Sequence, residues 1–475
     1  MAQSQLSHRG SNLPFMRSLP LPSCVCRAFT RFLTFASLLA LVGCADHAAR
    51  LAKVKTALDA GRPEQALTAI DDELDVDKPA ALPKDVSGEH SLLILDRSMI
   101  LQQLRNYELS SRDLEVADKQ IQTLDFSRNA LDDVGKYMFS DDTGPYKAPA
   151  YEKLLINTIN MQNYLLRGDL NGGRIEARRL AVMQKYLSQK GDPAEALLGP
   201  GSYLAGFIFE KSGRPDEALR YYDEALSYAY YRSLEPAILR LSAQSGYQTP
   251  RLRQAAERAR KAGMAPAEAE STGEAELLVI VNYGRVPGKI AKRVPIGLAL
   301  TYASGALSPY DQQRANTLAA QGLVTWVNFP ELGRARGQYD APEVLLDGRV
   351  VPSEQLSAVD FEVRRAWDKV KGAVVGAAIT RMITRVVVGE GIRRSAKDDN
   401  IIALLLSLGT QAALTAADTP DTRSWSTLPA RMSVARIRLP PGKHRITMLV
   451  RGKKEQRDIT IRPGGWAAVG LTVLN

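Results

Sequence analysis

Residues 204–226 read LAGFIFEKSGRPDEALRYYDEAL, and their spacing decides the fold of the front half of the chain. Small residues recur at Gly206, Gly213, Ala218 and Ala225, with large aromatics at Phe209 and Tyr222. Residues three and four apart share one face of a helix. The pattern therefore describes two helices that touch at their small residues, with rings filling the space between.

Weaker copies surround this unit. Ala57 to Leu74 contains AGRPEQAL, with Gly61 and Ala66 at matching offsets. Ser98 to Ala117 places Ser98, Ser110 and Ala117 at the small positions, and Tyr164 to Leu180 places Tyr164, Gly168, Gly173 and Ala177. This is the tetratricopeptide (TPR) pattern. The usual proline near the repeat end gives way to Tyr230. The markers Gly61, Arg105, Gly168 and Gly213 lie 44, 63 and 45 residues apart. A regular array of this type repeats at about 34, so the expectation is an irregular TPR-like α-helical superhelix. Its largest interruption is Phe139 to Tyr151, FSDDTGPYKAPAY. Asp141, Asp142, Tyr146 and Tyr151 there form a candidate partner-binding loop, since polar loops with aromatics on a rigid scaffold often carry contacts.

After a linker at 263–273, the period changes. Glu276 to Tyr283, ELLVIVNY, reads as a strand, with Ile290 to Ile296 as its return. Leu323 to Phe329 and Glu343 to Val351 add strands, the latter a hairpin around Asp347-Gly348. Two apolar helices follow, Ser357 to Gly391 and Ile401 to Ala417. Gly372-x-x-x-Gly376 resembles a membrane close-packing motif. However, Arg381 and Arg385 interrupt the first run, and the second has only 17 residues, against about 20 for a span. A helical hairpin buried against the strands is expected instead. The tail, MSVARIRL, HRITMLV, QRDITIRP and WAAVGLTVL, alternates apolar and polar residues around Pro440-Pro441-Gly442. It resembles the small surface-layer β-sandwiches that carry a Pro-Glu-Gly-Ala motif, of which only the Pro-Gly core is present. Arg436, Arg438, Arg445 and Arg451 fall on the alternation expected to face solvent, a candidate contact for an anionic surface. The whole is an α+β chain: signal 1–43, helical repeats 44–262, linker 263–273, mixed β and helical-hairpin region 274–420, and basic β-module 421–475.

The N-terminus locates the protein. Leu41-Val42-Gly43-Cys44 reads as a lipobox behind Arg17, Arg27, Arg31 and the apolar run Phe32 to Val42. Cleavage before Cys44 leaves its sulfur to carry diacylglycerol, a covalent lipid on an otherwise cofactor-free chain. Either Met1 or Met16 serves as the start. Ala45 behind the cysteine favours outer-membrane sorting, and Asp46 weakens that preference. Cys24 and Cys26 fall in the signal, so the mature chain keeps one cysteine and has neither an internal disulfide nor a catalytic thiol.

The full chain carries a net charge of +10. From Thr272 onward there are 28 basic and 18 acidic residues, and the last 45 residues hold 10 and 2. An exported protein with this balance suits anionic lipid, peptidoglycan carboxylates or an acidic protein better than nucleic acid. His47, His90 and His444 lie far apart, with no metal-ligand spacing. No phosphate-binding glycine loop or nucleophile elbow occurs, and adjacent carboxylates such as Asp71-Asp72 do not share a helix face. No catalytic residue is assigned.

The lipobox, the repeats, FSDDTGPY, ELLVIVNYG and above all DTRSWSTLPA (421–430) followed by RLPPGKH resemble an uncharacterised proteobacterial family of tetratricopeptide-containing lipoproteins. Such proteins are often encoded near a lipoprotein resembling the activators of penicillin-binding proteins. The resemblance implies a lipid-anchored, non-enzymatic scaffold on the periplasmic face of the outer membrane, binding a periplasmic or outer-membrane protein in envelope assembly. A factor regulating peptidoglycan synthesis and a cell-wall hydrolase are the alternatives. Within the family motif Asp421, Thr422, Arg423 and Trp425, a stacked Arg423–Trp425 pair is expected to anchor the crossing from helices to β-module.

Overall fold

The computed structural model describes residues 47–126, 146, 148–189, 197–264, 273–322, 324–395 and 419–475. The lipobox, Asp141, Asp142 and the segment 401–417 lie outside them.

The helical layer is built from hairpins: α1 (His47–Arg50), α2 (Ala52–Asp59) with α3 (Pro63–Glu73), α4 (Glu89–Gln103) with α5 (Tyr107–Phe126), α6 (Ala150–Leu166) with α7 (Leu170–Gln189), and α8 (Leu198–Lys211) with α9 (Pro215–Tyr228). Then come α10 (Glu235–Leu241) and α11 (Pro250–Lys261). The four marker residues are the four hairpin turns. Gly61, Arg105, Gly168 and Gly213 all have left-handed φ, between 64° and 73°. After each, the next amide bonds back to the carbonyl five residues earlier: Arg62 to Ala57 at 2.9 Å, Asn106 to Leu101 at 2.8 Å, Asp169 to Tyr164 at 2.8 Å and Arg214 to Phe209 at 3.0 Å. This closure satisfies carbonyls that a helix end leaves orphaned. Arg105 adopts the left-handed form despite its side chain, which costs about 1 kcal/mol or more.

The small positions also lie where the pattern put them. A Cβ on Gly206 would fall 2.4 Å from the Tyr222 ring, so no larger residue fits. Ser110 Oγ donates to the Ser98 carbonyl at 2.8 Å, drawing α4 and α5 together.

Two four-stranded sheets follow: sheet A packs against this layer, and sheet B packs on the other face of sheet A. Sheet A runs β10 (Trp466–Val473), β1 (Ala275–Tyr283), β7 (Arg431–Leu439), β6 (Glu354–Ala358). Sheet B runs β5 (Arg349–Val351), β4 (Glu343–Leu346), β8 (Gly442–Val450), β9 (Lys453–Ile461). Every residue of β1 is buried, as its near-continuous apolar run requires of a strand covered on both faces. Leu278 and Ile280 join the helical core, whereas Leu277, Val279 and Val281 join the core between the sheets.

This arrangement corrects two readings. The segment 421–475 is not a separate module, because β1 pairs parallel with β10 and antiparallel with β7 in a single sheet. Ile290–Ile296 does not return along β1. Instead β2 (Lys289–Pro295) pairs with β3 (Trp326–Leu332), forming a two-stranded satellite with α12 (Ile296–Tyr302), α13 (Pro309–Ala320) and the long α14 (Val359–Ser395). The Asp347-Gly348 hairpin forms as expected, with both residues at positive φ. Gly372 and Gly376 are the places where α14 passes the Tyr302 and Ala306 carbonyls, 3.4 and 3.5 Å from an added Cβ. Their close packing is within the protein. Among the described residues, no helix is long and apolar enough to cross a membrane.

Candidate functional site

The motif segment 421–430 threads between the helical layer and sheet A, held by buried carboxylates from α4 and α6. Asp96 Oδ1 accepts the Thr427 amide at 3.0 Å and the Thr427 hydroxyl at 2.8 Å. Glu152 Oε1 accepts the Trp425 amide at 2.9 Å. Both carboxylates and the Trp425 side chain are fully buried. Burial pushes the Glu152 carboxyl up, and the Tyr146 hydroxyl and Trp425 amide only partly offset this.

Tyr146 and Tyr151 are therefore not a surface for partners. Both are buried, and both hydroxyls donate to Glu152. Burial, reinforced by the Glu152 charge, pushes both phenols well above their ordinary value. The anticipated Arg423–Trp425 stack is replaced by another pairing. Arg423 binds Asp421 through Nε and Nη2 at 2.8 and 2.9 Å, and its guanidinium lies 5.9 Å from the Tyr146 ring centre. Thr422 is buried in the same segment.

A second buried network sits where β1 and β7 meet α8 and α9. The Arg436 side chain, 3% exposed, reaches both oxygens of Glu210 at 2.7 and 2.8 Å, Tyr222 Oη at 2.9 Å, and Glu276. Its guanidinium also lies 5.1 Å from the Phe207 ring centre. Lys211 and Arg240 complete the shell around Glu210. Burial opposes charge on Glu210, but Arg436, Lys211 and Arg240 outweigh it and hold the carboxyl well below the usual range.

Arg436 is thus no contact for an anionic surface: its face of the sheet is the one the helices cover. The other three arginines proposed for that contact are paired as well. Arg438 meets Glu274 at 2.6 Å, Arg445 meets Asp458 at 2.7 Å, and Arg451 meets Asp340. The four do not form one unneutralised basic face.

The open site lies elsewhere, on the outer surface of the helical layer. A groove of about 640 Å³ runs between α7, α9 and the start of α11, with Arg178, Arg220, Tyr221, Tyr228, Tyr247 and Arg251 on its walls. Tyr221 stacks on Phe209 at 5.2 Å, and Arg220 caps the Tyr247 ring at 5.2 Å. Arg251 is fixed by Asp223 at 3.0 Å. Arg178 and Arg220 are exposed. The groove offers planar donors, half-exposed rings and the carboxylates of Glu217, Asp223 and Glu224.

Sequence reasoning passed over Asp96, Glu152 and Glu210. One signal was available: Asp96-Arg97 interrupts the apolar run SLLILDRSMIL, and charged residues are seldom buried without partners. Among the described residues, no group of three or more His, Cys, Asp or Glu is placed to hold a metal ion. No protein-family model matches the chain, and no curated protein is significantly similar to it.

Proposed function

We propose that the protein is a non-enzymatic lipoprotein of the outer membrane, anchored through Cys44 and facing the periplasm. Its TPR-like hairpins act as a scaffold for another envelope protein. The observation that carries this reading is the arginine- and tyrosine-lined groove, since Tyr and Arg are the side chains that most often dominate binding energy at interfaces. Supporting the non-enzymatic part, the carboxylates of Glu152, Glu210 and Glu276 are bonded to neighbouring elements of the fold.

The test is cross-linking from membranes with tagged wild type and with the double substitution Arg178→Glu, Arg220→Glu. Both residues are exposed, so the variant is expected to fold normally and to lose a specific cross-linked partner. An identical cross-linking pattern would remove the groove from the reading. Incubation with sacculi tests the rival classes: released muropeptides would identify a hydrolase, and stimulation of an added synthase would identify a regulator of peptidoglycan synthesis.

A further inference from the structure

His47, the first of the described residues, is buried and lies three positions beyond Cys44. His47 opens α1 with its ring buried, Nδ1 3.2 Å from Glu89 Oε1 and Nε2 3.6 Å from Asp96 Oδ2. One turn later, Arg50 contacts Glu73 and Glu89, each at 2.9 Å, and donates to the Glu73 carbonyl at 2.9 Å. These contacts pin α1 to α3 and α4. Only Ala45 and Asp46 separate His47 from Cys44. Three residue steps reach about 11 Å when fully extended. One lipid headgroup layer takes up about 5–8 Å of that.

We propose that the folded body lies directly on the bilayer without a tether, and that the corner formed by α1 and α2 is its contact with lipid headgroups. This rests on the reading of Cys44 as the lipidated residue. The corner presents Ala49, Ala52, Lys53 and Thr56 to solvent. The first two and Thr56 are small enough to allow close approach. Lys53 forms no ion pair within the described residues, so its ammonium is available to a lipid phosphate. The contact also fixes orientation. Arg285, just beyond the Tyr283 end of β1, bonds to Asp59 of α2, so that end of sheet A points toward the membrane. Thr460 on β9 lies at the opposite strand end, paired with Lys443 beside the turn that leaves Leu439. A nine-residue strand such as β1 spans about 30 Å.

The experiment uses full-length protein, processed in cells and reconstituted into vesicles containing a lipid with a headgroup quencher. A single thiol is placed by Thr56→Cys or by Thr460→Cys and labelled with a fluorophore, Cys44 being blocked by its own lipid. Quenching is expected to be several-fold stronger at 56 than at 460. A flexible Gly/Ser insert of about 20 residues before His47, spanning roughly 25 Å, is expected to erase that difference. Equal quenching at the two sites, or a difference that survives the insert, overturns the proposal. Fatty-acid labelling of the same preparation separates the two failures. Label present with equal quenching sinks only the surface contact, whereas absent label sinks the lipoprotein reading and the contact with it.

Discussion

Arg436 and Arg445 belong to successive strands of one alternating tail, yet they live in opposite environments. Arg436 on sheet A is 3% exposed and lies between two carboxylates under the helical layer. Arg445 on sheet B is 62% exposed and pairs with Asp458 in water. The two sheets share a core, so the difference comes from their outer faces. Helices cover that of sheet A, and solvent reaches that of sheet B. An arginine on a strand therefore reports a polar position, and the neighbouring layer determines whether that polarity meets water or a buried counter-charge.

The sharpest way to break this comparison is to truncate both residues. Arg436→Met removes the most buried of the three cations around Glu210 and Glu276, leaving only Lys211 and Arg240 at the edge of the network. Loss of one partner of a buried ion pair typically costs about 3–5 kcal/mol, so equilibrium urea unfolding should show a large fall in midpoint. Arg445→Ala should leave the midpoint unchanged, and a comparable loss in both variants would mean that the two sites are not different in kind.

Next in size is the clamp on the motif segment. Glu152→Ala strips acceptors from the Trp425 amide and the Tyr146 hydroxyl, both buried. Leaving buried donors unpaired costs about 1–3 kcal/mol. Tryptophan emission should shift to the red as Trp425 meets water, and an unchanged spectrum and midpoint would show that the segment is held by packing alone. Ala218→Trp probes the helical layer by itself. Ala218 is fully buried on α9, and overpacking costs about 1–3 kcal/mol. A melting temperature equal to that of wild type would contradict the hairpin contact.

The smallest effect is a pH slope. Burial disfavours charge on His47, but the Glu89 hydrogen bond and the negative charges of Asp96 and Glu89 outweigh it, raising its value above the usual 6.5. Its contribution to stability is complete below about pH 6.5 and is lost as pH rises through the raised value. Glu89 behaves oppositely. Burial pushes its carboxyl up, but His47 and Arg50 outweigh this and lower it below 4.5. Its share is present above about pH 4.5 and lost on acidification through the lowered value. His47→Gln should flatten the alkaline side of the stability profile, and an unaltered slope in urea titrations at several pH values would exclude the pairing.

The helical hairpins were legible because their determinants are local. Glycine at 61, 168 and 213 marks left-handed turns, and small residues at 98, 110 and 206 mark helix contacts. ELLVIVNY was legible as a strand, and the structure buries it on both faces. Its partners were not legible. β10 lies almost 200 residues away, and no local pattern records a parallel pairing at that distance. Little of the candidate site could be read in advance. Tyr146 and Tyr151 resemble a surface loop until Glu152 is seen to hold both hydroxyls, and the groove joins residues from α7, α9 and α11 that share no motif.

The sequence by itself determined the short-range features: the turns, the small residues where helices touch, and the period of each strand. Those depend on backbone conformation and on neighbours within a few residues. Only the tertiary structure decided which side of each strand is covered, which carboxylate meets which arginine, and where an open surface is left. A period of two separates a strand's faces without saying which will be dry. That choice belongs to the layer that packs against it, and here the covering helices come from the other half of the chain.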